Sequence, residues 1–405
     1  MSNNLSTYFQ NELKALDAAS ASKRHERIIT ELKSPTQAII DGRQITLFNT
    51  NDYLGLRLEP ALINAEQAAV DRFGVGAGSV RFISGTNTAY KDLERQVASF
   101  HQRDDAILFS SAFMANLATM SVLAKDRSAG DCLLLTDEMN HRSIIDGIRL
   151  ANKAKEDKRI YPHLDYDALA EALKSGRGRY QRAMIVTDGV FSMLGDYADL
   201  KRLVALQREY ESQYPDGVLL VVDDCHGVGV TGDDGRGTEA VFGQKVDVLI
   251  GTFGKAMGTD GGYVVADQPT IDFLREKGAS YIFSNSFSPG SAGAASQAVD
   301  LLGSPKGEQL RRNLRANVEL FQRLTQENGL VVASHLAHPI QPLVIGESGQ
   351  TLRLANLLFD RHGFFVTPIT FPAVAKGKEE LRIQINATHT EANISGLVQA
   401  LAESR

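Results

Sequence analysis

Lys255 lies in Gly251-Thr252-Phe253-Gly254-Lys255-Ala256, directly after an apolar run. Taken alone, a lysine in a glycine-rich turn is a solvated surface amine. The turn is not a phosphate-binding P-loop. Leu249 stands where that motif needs its first glycine, and Ala256 stands where Ser or Thr would meet magnesium. The chemistry left to this lysine is Schiff-base formation with an aldehyde, for which an amine is the natural nucleophile. Asp223 closes another apolar run, Val218-Leu219-Leu220-Val221-Val222. A carboxylate there could cap the next turn, but buried without a partner it is costly. A protonated pyridine nitrogen is a partner that would put it to chemical use. His226 follows three residues later, within reach of the same ring, although Asp-x-x-His alone also fits a metal pair or a local hydrogen bond.

Two more segments fit the same ligand. His141 follows Asn140 in the turn before a helical pattern, where an imidazole can lie flat against an aromatic ring or simply face solvent. Ser110-Ser111-Ala112-Phe113 joins a strand to a helix, whose first backbone N–H groups suit a phosphate. Amine, acid, imidazole and phosphate cradle together point to pyridoxal 5'-phosphate (PLP), which needs an acid at its pyridine nitrogen to act as an electron sink. No set of residues has the spacing of a metal site.

These residues sit where an α/β fold would put them. Apolar runs at 105–110, 132–136, 183–187, 218–223, 246–252 and 261–266 are continuous rather than alternating, as in strands buried on both faces. Helical patterns at 90–101, 115–125, 142–154 and 198–211 separate most of them. This predicts an α/β fold with a mostly parallel central sheet. In such sheets ligands bind at the carboxyl ends of the strands, where Asp137, His141, Asp188, Ser192, Asp223, His226, Thr252 and Lys255 all fall. After about residue 290 the pattern turns to α+β, with a long helix at 305–328, strands at 340–345, 364–369 and 381–385, and a last helix at 391–403. The expected organisation is an N-terminal helical arm (1–50, helix-forming to about 33), a large PLP-binding domain (51–290) and a small C-terminal domain (291–405).

The bulk composition agrees. The 405 residues carry a net charge of -6, with 43% hydrophobic and 23% charged residues. No basic excess points to nucleic acid, and no apolar run approaches the roughly 18 residues of a membrane helix. Two distant cysteines, Cys132 and Cys225, form neither a disulfide framework nor a metal quartet, which suits a reducing cytoplasm. Met1-Ser2-Asn3-Asn4-Leu5 lacks the pattern of a signal peptide.

One motif competes. Gly227-Val228-Gly229-Val230-Thr231-Gly232 matches the dinucleotide fingerprint, which would make the chain an NAD-dependent oxidoreductase. Against it, Asp-Asp-Cys-His separates strand from glycines, and Asp233 to Gly237 make turns rather than a helix. Asp247 begins an apolar run instead of ending a strand.

The assembled motifs resemble the α-oxoamine synthases, PLP enzymes of aminotransferase fold type I. The resemblance runs from about residue 5 to the C-terminus. It rests on Asn51-Asp52-Tyr53-Leu54-Gly55-Leu56, Ser84-Gly85-Thr86, Asp188-Gly189-Val190-Phe191-Ser192-Met193, Val222-Asp223-Asp224-Cys225-His226-Gly227, Thr252-Phe253-Gly254-Lys255-Ala256 and Ala387-Thr388-His389-Thr390. It implies that Lys255 holds PLP, Asp223 pairs with the pyridine nitrogen, His226 and Ser192 sit at the phenolic oxygen, and His141 stacks on the ring. The backbone of Ala112 and Phe113 and the hydroxyl of Thr252 would hold the phosphate. Ser284, with Asn285 beside it, would reach the cofactor of a second subunit, which implies a homodimer with shared sites. Asn51 and Arg382 would bind the amino acid carboxylate, a task suited to arginine's fork. The implied reaction joins an amino acid to an acyl-CoA with loss of CoA and carbon dioxide, giving an α-aminoketone. Within the family, Ser79 to Thr86 and His141 to Gly147 resemble the glycine C-acetyltransferase branch, implying glycine and acetyl-CoA. Arg142, Thr259-Asp260 and Ala375 depart from that branch, leaving room for a longer acyl chain, or for alanine or serine.

Overall fold

A computed structural model describes residues 4–19, 22–24, 26–128, 130–334, 336–371 and 373–404. The start Met1 to Asn3 lies outside the described residues. The chain forms two compact units, one of Asn51–Leu314 and one of Met1–Thr50 with Arg315–Arg405.

The first unit is built on a seven-stranded sheet in the order Asp105–Phe109, Gly262–Ala266, Val248–Thr252, Val218–Asp223, Arg182–Asp188, Cys132–Asp137, Lys158–Tyr161. From Val248–Thr252 to Lys158–Tyr161 all pairings are parallel. Gly262–Ala266 runs antiparallel to both its neighbours. The Cys132–Asp137 and Val248–Thr252 strands are buried at every position, because helices cover the sheet, and each buried Leu, Ile or Val contributes about 1.5–3 kcal/mol. Polar caps start the covering helices. Asn87 caps Thr88–Phe100, Ser111 caps Ala112–Leu123, Asp165 caps Tyr166–Gly176, and Asp199 caps Leu200–Tyr210.

One close approach sets the spacing of two of these helices. A Cβ on Gly147 would lie 2.8 Å from Met120 Cβ and 2.9 Å from the Asn116 carbonyl oxygen. Glycine at this position lets the helix Arg142–Leu150 lie directly on Ala112–Leu123.

The second unit differs from expectation at its start. Helix is confined to Asn4–Ala18, and Ile29–Ser34 is a strand, paired antiparallel with Gln37–Ile40. The Gln37–Ile40 strand pairs in turn with Arg43–Leu47 through an Asp41-Gly42 turn with positive φ at both residues, the geometry a two-residue hairpin requires. Glu31 and Lys33 sit on one exposed face of the first strand and pair at 2.6 Å, so a charged strand carries a helix-like composition. Phe364–Phe365 joins this sheet in parallel beside Arg43–Leu47. A second sheet orders Ile340–Val344, Glu380–Gln384 and Thr367–Ile369, all antiparallel. The helix Glu391–Glu403 opens with a capping box between Thr390 and Asn393. The units divide after Leu314, inside the helix Pro305–Glu327 and not near residue 290, and Pro289–Leu302 belongs to the first unit.

Candidate active site

Parallel pairing brings the polar strand ends together. Asp188 and Asp223 face each other in register, and Asp223 pairs with Ile250, two residues before Thr252. Above this rim lies a small cleft, about 30 Å³, whose wall includes Ala112, Phe113, His141, Asp223, His226 and Lys255.

Lys255 projects from the turn after Val248–Thr252. Gly258 closes that turn by donating to the Lys255 carbonyl at 2.9 Å. Gly258 has φ +70°, and a Cβ there would lie 2.5 Å from the Arg57 backbone nitrogen, so the lysine turn rests on the segment that carries Asn51. Asp223 is buried, and its carboxylate is aimed by two donors. Asn116 Nδ2 lies 2.5 Å from Oδ2, and the Cys225 N–H donates to Oδ1 at 3.0 Å. His226, also buried, has its Nδ1 2.8 Å from the Tyr53 hydroxyl, which is 3.3 Å from Asn51 Oδ1.

His141 caps its helix through Nδ1, which accepts from the Ser143 N–H at 3.2 Å. Burial holds its pKa below the usual histidine value, with the charge of Lys255 acting the same way and that of Asp223 opposing. Asp188 is pushed well above the usual carboxylate range, by burial and then by the neighbouring charge of Asp223.

The remaining expected residues are more dispersed. Ala112 and Phe113 are the first residues of their helix, where backbone N–H groups lack intrahelical acceptors. The Thr252 hydroxyl donates to the Gly261 carbonyl at 3.0 Å and accepts from the Gly254 N–H at 3.1 Å, outside the cleft wall. Ser192 is half-buried in the loop after Arg182–Asp188. Ser284 and Asn285 follow the short helix Ala279–Ile282, next to Phe283, which is 78% exposed. Arg382 lies half-buried on Glu380–Gln384 of the other unit. Its neighbour Glu380 is raised by burial to about 7, with the charge of Arg382 opposing. Asn116, Ser143 and Tyr53 escaped the sequence reading. Tyr53 stood inside a recognised motif, and Asn116 lies one helical turn after Ala112.

The competing glycine motif has a packing explanation. A Cβ on Gly227 would lie 2.1 Å from Asp224 Oδ1, and on Gly229, at φ +90°, it would lie 2.6 Å from Ala256 Cβ. These glycines wrap a tight loop around a buried carboxylate, with turns after it. The short helix that follows, Thr238–Phe242, gives its Thr238 N–H to Asp224 Oδ2 at 2.6 Å and not to a pyrophosphate site.

The donor set fits PLP: a doubly aimed buried acid for the ring nitrogen, an amine across the same cleft, two imidazoles, and a helix N-terminus for the phosphate. Fold and site together define a PLP enzyme of aminotransferase fold type I. The chain matches the family described as aminotransferase class I and II over residues 43–401. It is 38% identical over 397 residues to the mitochondrial 2-amino-3-ketobutyrate coenzyme A ligase of Mus musculus, covering 97% of this chain and 91% of that one. It is also 38% identical to 8-amino-7-oxononanoate synthase of Geotalea daltonii, covering 97% and 96%. Serine palmitoyltransferase from S. paucimobilis, solved with a bound PLP–myriocin aldimine, superposes with a TM-score of 0.89 at 28% identity, covering 99% of this chain and 98% of that one. The chain belongs to the α-oxoamine synthases, PLP-dependent C-acyltransferases within this fold.

Proposed function

We propose that this enzyme condenses glycine with acetyl-CoA, releasing CoA and carbon dioxide and leaving an α-aminoketone. The observation that carries the reading is the convergence of Lys255, Asp223, His226 and His141 on one cleft. Bound PLP supplies the electron sink for the charge left when the α-proton departs. Asp223 keeps the ring nitrogen protonated. Lys255 would anchor the cofactor and would take the α-proton. His226, with Ser192, holds the phenolic oxygen, and His141 stacks on the ring. Both histidines stand ready to polarise the thioester carbonyl. The N–H groups of Ala112 and Phe113 would receive the phosphate, and the Thr252 hydroxyl, now bonded to the Gly261 carbonyl, would complete the cradle. Asn51 binds the substrate carboxylate.

The ligase relatives support glycine and acetyl-CoA. An equally similar 8-amino-7-oxononanoate synthase, and the fold shared with serine palmitoyltransferase, favour a second reading with a longer acyl chain or another amino acid such as alanine or serine. A matrix of amino acids against acyl-CoAs, scored by free thiol and product mass, separates them. Thiol release should peak with glycine and acetyl-CoA, and Lys255→Ala should release none. Absence of thiol with every pair overturns the reading.

We also propose a homodimer in the cytoplasm. Phe82, Ile83 and Phe283 are 67%, 67% and 78% exposed, and Ser284 and Asn285 directly follow Phe283, so a partner covering these side chains would also meet Ser284. Both cysteines are free, and among the described residues no helix is long and apolar enough to cross a membrane.

A further inference from the structure

We infer that Ser143 and Asn116 fix the tautomer of His141, so that its imidazole enters the reaction as a neutral Nε2–H donor and not as a base. The inference rests on the proposed function only in placing His141 beside the reacting atoms. The tautomer itself is set by hydrogen-bond direction.

The Ser143 backbone N–H can only donate, and it points at His141 Nδ1 from 3.2 Å. Ser143 Oγ lies 2.7 Å from the same nitrogen. That hydroxyl also has a partner in Asn116. The Asn116 amide nitrogen is 3.0 Å from Ser143 Oγ and 2.5 Å from Asp223 Oδ2. A carboxylate oxygen accepts, so the Asn116 nitrogen must face it, spending one hydrogen there and the other on Ser143. Because the Ser143 backbone N–H already requires Nδ1 to accept, the serine hydroxyl, which accepts from Asn116, gives its single hydrogen to Nδ1. Nδ1 therefore meets two donors and no acceptor, which puts the ring proton on Nε2.

Both intermediaries are shut off from water, Asn116 at 1% exposure and Ser143 at 0%, so solvent does not compete for these bonds. The charged and titratable groups facing His141 are Asp223 and Lys255, with His226 and Cys225 in the same cleft wall, and Asp188, whose Oδ1 is 3.4 Å from the His141 backbone nitrogen. Burial and Lys255 favour the neutral ring, and two donors crowding Nδ1 favour it further. One amide thus ties the acid at the ring nitrogen to the group facing the substrate. A fixed Nε2–H can stabilise charge growing on the thioester oxygen without giving up its proton. Ser143 and Asn116 are positioning residues, acting through His141 and Asp223.

The test is ¹⁵N NMR of histidine-labelled holoenzyme, with the His141 signals assigned by their loss in His141→Gln. The wild type should show a protonated Nε2 and a bare Nδ1 across roughly pH 6 to 8. Ser143→Ala removes one of the two donors to Nδ1. It should raise the pH at which His141 protonates and lower kcat about 10- to 100-fold, with the amino acid KM unchanged. Ser143→Thr, which keeps the hydroxyl, should restore both. A proton on Nδ1 in the wild type, or an unaltered His141 titration in Ser143→Ala, overturns the inference. Expected spectra from a protein that condenses no substrate pair would instead overturn the proposed function and leave the tautomer standing.

Discussion

His163 stands between two carboxylates, with Nδ1 3.0 Å from Asp137 and Nε2 2.9 Å from Asp196, its ring meeting Phe191 edge-on. Asp137 also accepts from the Met139 and Leu164 N–H groups, so this one imidazole joins the segment leading to His141 to the loop that carries Ser192. Burial pulls its pKa down, but the two carboxylates outweigh it and raise it to about 9. A histidine held above its unfolded value stabilises the fold fully below the unfolded pKa near 6.5, and that stability is lost as pH rises through about 9. His163→Gln should cost about 2 kcal/mol at neutral pH and remove this alkaline loss. Thermal melts of both proteins from neutral to alkaline pH check it, and parallel curves would refute the ion-pair account. His163 also shows which site residues a sequence reveals. Lys255, Asp223, His226 and His141 were legible because an ionisable group next to an apolar run demands an explanation. His163, Asn116, Ser143 and Tyr53 act by aiming other groups, and before the fold is known they read as ordinary turn and helix residues.

At the scale of elements, the strands that carry the site were legible because burial on both faces leaves continuous apolar runs, as in Leu133 to Leu135 and Leu220 to Val222. The strand Lys158–Tyr161 escaped notice because it lies at the sheet's edge with two basic residues in four positions, and Ile29–Ser34 escaped through its exposed charges. Hydrophobic periodicity also says nothing about how closely two helices approach. Gly147 decides that for Arg142–Leu150 and Ala112–Leu123, and so decides whether Ser143 can reach Asn116. Gly147→Ala should force the helices apart, costing about 2 kcal/mol and weakening PLP binding. Gly76→Ala, with open space around the new methyl, is the control and should leave both unchanged. Chemical denaturation together with PLP titration reads both effects. A stable Gly147→Ala protein with ordinary PLP affinity would show that the close approach is dispensable.

Over the whole molecule, buried histidines in both units weaken the fold on the acid side. His389 accepts from the Asn386 N–H through Nδ1, has its Nε2 3.0 Å from the Leu47 carbonyl, and stacks on Phe48 with ring centroids 4.1 Å apart. Burial lowers its pKa to about 4. In the other unit His101 is fully buried against the Tyr263 hydroxyl at 2.9 Å, and burial lowers it to about 3, with Arg103 acting the same way. Both rings are neutral when folded and take up protons near pH 6.5 when unfolded. Between that value and about 4, each of these two histidines binds more protons unfolded than folded, so its own contribution to stability rises with pH across the window, against the buried carboxyls such as Glu380 that act the other way. Because the two histidines belong to different units, acid should weaken both units together and not strip one from an intact other. His389→Gln keeps a polar side chain but cannot titrate, so its melting temperature should fall less steeply than the wild type's between about pH 6.5 and 4, from a lower starting value at pH 7. Differential scanning calorimetry at half-unit pH steps gives the slopes. Equal slopes for the two proteins would mean that the acid limit comes from carboxylates, and that His389 serves packing alone.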